Sequence, residues 1–280
     1  MDIYLADERA FHLIPQISLE VARDRLEQKK TSLVTGTLGA LIARPKPEDI
    51  KMVSFESRLE AFWSINVFVH TVYERSHTFN VPVSGVEVHH VTALGQDLPV
   101  TINTKGGASF SFNGVEHCID ESRQCFTFDA TGTKLDLSKY QSFAKSEIAD
   151  LGQFAPEGVL VVPPQAHATT VVRAVMAEVI KPVQAQVIHE ERVNVEALDI
   201  NFRPVYALEY EWVTKGKRVI LEFDGLTGEV HTGGKELHDQ IKGMITRDLI
   251  FDLTADAAGM IVPGGSIAVK LVKAVVDRGK

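Results

Sequence analysis

Val205-Tyr206-Ala207-Leu208-Glu209-Tyr210-Glu211-Trp212 lies over Phe62-Trp63-Ser64-Ile65-Asn66-Val67-Phe68-Val69 when the chain is compared with itself. Trp63, Ile65, Val67 and Val69 match Tyr206, Leu208, Tyr210 and Trp212 at one constant offset. Both runs alternate apolar with mostly polar residues, the period of a half-buried strand. Upstream, Arg58 lies over Arg203, and Ile14-Pro15-Gln16 lies over Pro163-Pro164-Gln165 at a slightly larger offset. Each Pro-Gln is followed by a helical pattern. Ile17, Val21, Ala22 and Leu26 share a face behind Ser18, a good N-cap, while Ala168, Val171, Val172, Val175, Met176 and Val179 form a stripe that Pro182 ends. Downstream, each strand is expected to turn back. The first does so around Tyr73-Glu74-Arg75-Ser76, with Pro82 in its return strand, and the second at Thr214-Lys215-Gly216-Lys217, where Gly216 supplies a positive φ.

These matches predict an α+β chain in which two diverged helix-plus-antiparallel-sheet repeats are separated by a β-rich insertion and followed by a C-terminal helical tail. The expected boundaries are 1–90 for the first repeat, 91–158 for a meander and linker helix, 159–232 for the second repeat and 233–280 for the tail. In the insertion, Asn113-Gly114 and Asp120-Glu121-Ser122-Arg123 read as hairpin turns, and 138–151 reads as a helix. In the tail, Leu237, Ile241, Met244, Ile245 and Leu249 share one helical face, and Ser266 can cap a last helix bearing Ile267, Leu271 and Val275. That apolar tail suits burial against the body, contact with a second copy, or an interfacial membrane contact through Lys270, Lys273, Arg278 and Lys280.

Residues 204–230, ending Asp224-Gly225-Leu226-Thr227-Gly228-Glu229-Val230, resemble the hairpin of PepSY-type domains. There a D-x-x-T-G-E/K-V tail closes a strand pair that packs on a helix. The first repeat departs from it, reading Ser84-Gly85-Val86-Glu87-Val88. The resemblance implies a helix-on-sheet binding module with no catalytic residues.

Composition narrows the function classes. With 45% hydrophobic and 24% charged residues, the chain can bury a core. A net charge of −8 and the lack of a basic run argue against nucleic-acid partners. The first 14 residues lack a basic region and an apolar stretch, and two cysteines do not suggest a disulfide scaffold, so a reducing cytoplasm is the expected setting.

Candidate chemistry is sparse. His117, Cys118 and Cys125, with His89-His90 upstream, form the one cluster resembling a zinc site, although adjacent strand residues point to opposite faces and the gap between the cysteines is wide. Gly264-Gly265-Ser266 lacks the Lys-Ser/Thr of a nucleotide loop, and the acid pairs Glu190-Glu191 and Asp120-Glu121 read as solvated strand ends or turns. No cofactor is implied. Trp63, Tyr206, Tyr210 and Trp212 read as core or sheet face, with Glu209 and Glu211 on the opposite side, where a cationic or peptide ligand could be received. The expected function is therefore a non-catalytic binding or assembly module for a protein or peptide partner. The alternatives are a metal protein or enzyme built around His117, Cys118 and Cys125, and a peripheral membrane protein anchored by the tail.

Overall fold

A computed structural model of the chain describes residues 1–43, 46–103, 106–233, 246–251 and 270–273. In chain order the elements are β1 (Asp2–Leu5), β2 (Glu8–Leu13), α1 (Leu19–Ala43), β3 (Ile50–Pro82), β4 (His90–Ala93), β5 (Gln96–Ile102), β6 (Ala108–Asp129), β7 (Lys145–Glu147), β8 (Val159–Val162), α2 (Ala168–Val179), β9 (Val187–Trp212), β10 (Lys217–Asp224), β11 (Val230–Thr232), a single turn α3 (Arg247–Ile250) and β12 (Lys270–Lys273).

The alternation at 62–69 and 205–212 does form strands, but they do not close two separate repeats. They are the middle of β3 and the C-terminal end of β9, which run antiparallel beside each other from Ile50–Trp212 to Glu74–Val187. Every other strand adds to this pair. The far edge of β9 takes β1 and β2 in parallel and β10 antiparallel. The far edge of β3 takes β8 in parallel and then β6 antiparallel from Phe62–Asp129 to Pro82–Ser109. The result is one large curled mixed sheet, a half-barrel in which strand makes up 53% of the structure and helix 19%. This overturns the expected pair of helix-plus-sheet repeats: β2 pairs across to β9 and β8 across to β3, so neither stretch forms a sheet of its own.

Strand length explains the difference. Tyr73-Glu74-Arg75-Ser76 contains no Gly or Pro, and β3 continues straight through it. Asn113-Gly114 lies inside β6, opposite Thr78 and His77, rather than at a turn. The Phe79 ring covers Gly114, where a Cβ would sit 3.0 Å from it, and Thr78 donates to the Asn113 side chain at 2.8 Å. An aromatic ring over a strand glycine restores the packing that the missing side chain forfeits. The expected turn at 120–123 is likewise mid-strand, and the expected helix at 138–151 is a short 3₁₀ turn, Ser138–Ser142, followed by β7. In the tail, residues 270–273 form a strand parallel to β1 where a helix was expected. The helical face at 237–245 and the segment 252–269 lie outside the described residues.

Two local patterns do recur. The Gln16 and Ile17 N–H groups both donate to the Gly225 carbonyl, and those of Gln165 and Ala166 both donate to the Ala130 carbonyl. The Asp224 carboxylate accepts from the Leu226 and Thr227 N–H groups, and the Asp129 carboxylate from those of Thr131 and Thr133. The geometric counterpart of the 224–230 turn is therefore 129–133, not Ser84–Val88. Gly132 and Gly228 both carry positive φ, 85° and 76°.

Both helices pack on the face of β9 that carries Leu198, Ile200, Phe202, Tyr206, Leu208 and Tyr210. Met176 and the valines of α2 cover Trp63, Ile65, Val67, Phe126 and Ile200, and Ala22, Leu26 and Val34 of α1 cover Tyr206 to Trp212 with Leu221 and Phe223. Trp63 is fully buried, and its indole N–H donates to the Ala166 carbonyl at 3.2 Å. On the opposite face the 3₁₀ turn lays Tyr140 on Phe62, Leu13 and Leu226. Its hydroxyl donates to Asp224, which also takes the Arg203 guanidinium at 2.6 Å, and Arg203 reaches Glu60 at 2.9 Å. Burial raises the Asp224 carboxyl. The hydrogen bonds from Tyr140, Thr227 and Leu226 and the charge of Arg203 outweigh that and hold it below the usual carboxylate range. Burial pushes the Tyr140 hydroxyl up.

Two expectations follow. A carboxyl with a depressed folded pKa stabilises above its unfolded value and stops doing so as the pH falls through the folded one, so the Asp224 contribution is present at neutral pH and disappears below about pH 4. Asp224→Asn therefore flattens the acid limb of a urea-unfolding pH profile and costs about 2–3 kcal/mol at pH 7, because Arg203 loses its buried partner. Gly132→Ala puts a Cβ 2.8 Å from the Ala166 Cβ, whereas at Gly216, with φ 60°, the same change meets open space. Differential unfolding should show about 1 kcal/mol lost at Gly216 from backbone strain alone, and about 2–4 kcal/mol at Gly132, where overpacking adds to it.

Candidate functional site

The helix-bearing face of the sheet continues past the C-terminus of α2, and there the cover ends. Along β3, the residues of that face run Trp63, Ile65, Val67, Val69 and then Thr71 and Tyr73, as strand alternation requires. A cavity of about 530 Å³ opens over Val69, Thr71 and Tyr73, walled by Asp120, Ser122 and Gln124 of β6, Glu191 and Val193 of β9, and Val179 to Gln184. Register places Thr71 directly between Asp120 and Glu191. With strands about 4.8 Å apart, the two carboxylate-bearing backbones are about 10 Å apart across β6, β3 and β9.

Thr71 is only 4% exposed, yet its side chain hydrogen bonds to nothing among the described residues, and neither Asp120 nor Glu191 has an ion-pair partner there. Arg75 at the rim is engaged by Glu116 at 2.6 Å, and Lys181 stands exposed at the opposite lip. The hydrogen bond and charge of Arg75 hold Glu116 low, while burial beside Cys118 raises the Tyr73 hydroxyl. Val69, Val193, Val179, Ile180 and Val183 supply an apolar wall. The negative end of the α2 helix dipole also points here.

Two other hollows have weaker claims. One of about 860 Å³ lies between Leu33 to Gly36 and Lys217 to Ile220, and its carboxylate, Glu209, is already paired with Arg218. One of about 700 Å³ runs along the charged face of α1, where Glu20, Asp24, Glu27 and Glu48 are interleaved with Arg23, Lys30 and Lys51.

The structure does not bring His117, Cys118 and Cys125 together. All three lie on the unbroken strand β6, with Cys118 on the helix-bearing face beside Tyr73, and His117 and Cys125 on the other. His117 instead faces Glu74 at 3.1 Å, whose same carboxylate oxygen meets His189 at 2.8 Å. These contacts, the one to His189 above all, hold the Glu74 carboxyl low. A bulge between Val72 and Tyr73 is what brings His189 to that side of β9. Among the described residues no group of three or more His, Cys, Asp or Glu side chains is placed to hold a metal ion. Gln141 donates to the exposed Cys125 sulfur.

The aromatics expected to meet a partner are core residues. Trp63, Tyr206, Tyr210 and Trp212 are buried, with the Tyr206 hydroxyl donating to the Ile17 carbonyl beneath α1. Of the acids opposite them, Glu209 accepts from Ser54 and pairs with Arg218, and Glu211 lies in register with Lys51 and Arg218. Thr71 was missed, and Asp120 and Glu191 were read only as members of solvated acid pairs. The signal for them is a polar Thr71 interrupting an otherwise apolar run of alternate residues from Trp63 to Tyr73.

Compared with family models, curated proteins and solved structures, the chain matches none of them. No family model supports the resemblance of residues 204–230 to PepSY-type hairpins. Among the described residues no helix is long and apolar enough to cross a membrane.

The two thiols provide a test of the strand geometry. Seven residues along one strand separate them by about 23 Å at 3.3 Å per residue, far beyond the 7 Å limit for bridging Cα atoms. Mild oxidation should therefore leave no intrachain disulfide by mass spectrometry. Thiol labelling should be biphasic, fast at Cys125 and slow at the half-buried Cys118.

Proposed function

We propose that the protein is a non-catalytic binding module that receives a basic side chain of a protein or peptide partner in the cavity below α2. The observation that carries this reading is the nearly buried Thr71, whose hydroxyl has no hydrogen-bond partner among the described residues, set between two carboxylates, Asp120 and Glu191, that have no ion-pair partner among them. A cationic head set there gains both charges and a hydroxyl acceptor. The aliphatic stem of a Lys or Arg covers the apolar wall of Val69, Val193 and Ile180. Guanidinium and ammonium groups carry only donors, which suits a floor made of acceptors. Such sites join an apolar lining to a few placed polar groups.

The partner thus meets the edge of the helix-bearing face rather than the aromatic strands themselves. The test is an isothermal titration of the full chain with the capped peptides Ac-Val-Arg-Val-NH2 and Ac-Val-Glu-Val-NH2. The basic peptide should saturate and the acidic one should not. Asp120→Asn with Glu191→Gln should weaken binding about tenfold, the sum of two partly exposed ion pairs of about 0.7 kcal/mol each. Equal binding of the two peptides, or none at millimolar concentration, would refute the reading.

A further inference from the structure

Among the described residues the sheet leaves one long strand edge open, and it belongs to β6. Along one edge β6 pairs with β3 over its whole length, while along the other, among the described residues, it meets Val100–Ile102 of β5 at Ala108 to Phe110 and the 133–135 segment at Thr127 to Asp129. Three backbone hydrogen bonds fix which groups point outward. The Ala108 carbonyl accepts from Val83 on the β3 side, whereas those of Gly107 and Thr127 accept from Asn103 and Leu135 on the other side. Alternation along an unbulged strand then sends the N–H and C=O of every odd-numbered residue from Ser111 to Cys125 away from β3. From Asn113 to Cys125 none of these groups has a backbone partner among the described residues.

An edge of this kind is a template for another strand, and folded proteins usually blunt it with Pro, Lys, a bulge or brevity. The 22 residues of β6 contain no Pro, no Lys and no bulge. The remaining outer strands among the described residues are short, four residues in β4, β8 and β12 and three each in β7 and β11. On β6 the outward side chains include Ile119 and Val115, 70% and 50% exposed.

We propose that this edge pairs antiparallel with β6 of a second copy of the chain, about a two-fold axis through Ile119. In that register Ile119 meets its own counterpart, and His117 of each copy lies opposite Glu121 of the other. Asn113 to Cys125 all fall on open backbone, short of Thr127, whose carbonyl is taken. Moving the axis to Ser122 would set His117 against the occupied Thr127, and moving it to His117 would oppose two histidines. Like-on-like opposition of a two-fold interface makes the patch self-complementary. The two half-barrels then share one continuous sheet. This inference stands apart from the cavity and does not depend on it.

The experiment is light-scattering mass measurement of the full chain at about 100 µM, with amide hydrogen exchange resolved by residue. The wild type should show twice the mass of one chain, with the amides of Val115, His117, Ile119 and Glu121 protected at high concentration and exposed on dilution. Ile119→Pro removes only an outward N–H, and Ile119→Lys keeps that N–H but sets a charge on the axis. Both should be monomeric with an unchanged circular-dichroism spectrum, while the even-numbered amides of β6 stay protected. A monomeric wild type, or a dimer that survives both substitutions, overturns the proposal. So does a monomer whose odd-numbered amides become protected only on adding another protein, which assigns the edge to a different chain.

Discussion

The antiparallel contact of β3 with β9 is the constraint on which the rest of the molecule depends. It runs from Ile50–Trp212 to Glu74–Val187, and each of its two outer edges is then divided among later additions. The edge of β9 is filled successively by β1, β2 and β10, and that of β3 by β8 and β6. A one-residue slip in the central pair would turn Trp63, Ile65, Ile200 and Tyr206 from the helix-covered side to the other. Burial of those rings therefore fixes the register, and the register in turn positions every strand outside it.

The opposite side of the central pair is sealed by charge rather than by apolar bulk. Glu60 lies directly opposite Arg203, which reaches on to Asp224, while Arg58, fully buried, is held by Glu56 and Glu222. Ion pairs shut away from water add little net stability over apolar packing, but removing one partner is expensive. Their effect here is to make one alignment of β3, β9 and β10 far better satisfied than its neighbours. Tyr140 extends the same network to the 3₁₀ turn, so the outer loop is tied to the strands that the helices hold from within.

What could be read in the sequence was local. The strand alternation at Trp63 to Val69 and Tyr206 to Trp212, the stripe of α2, the helix after Ser18 and the turn at Gly216 all rest on periods and caps that a short window contains. What escaped was set by distant partners. Nothing within Tyr73 to Ser76 says that β3 continues, because the strand is held there by β6, some forty residues later in the chain, in the manner of Arg75 with Glu116, 41 residues apart. Asn113-Gly114 carries strong turn chemistry, yet Phe79 fills the space over the glycine and keeps the strand straight. The cavity was hidden for a related reason: Thr71, Asp120 and Glu191 are unremarkable singly and become a group only when three strands are in register. His117 was singled out, but its companions Glu74 and His189 emerge only from pairing and a bulge.

The parallel strands at the start of the chain carry a consequence for synthesis. Asp2–Leu5 and Glu8–Leu13 pair with β9, and the Arg9–Asp199 ion pair joins residues 190 apart. On the ribosome these two strands have no β9 to join until residues 187–212 have also emerged. Contacts of such long sequence separation make folding slow, because the loop must close before the pairing rewards it. During that interval the apolar side chains of β1 and β2 and the unpaired length of β3 are exposed together. The strand that covers those stretches is made only after them, as residues 187–212.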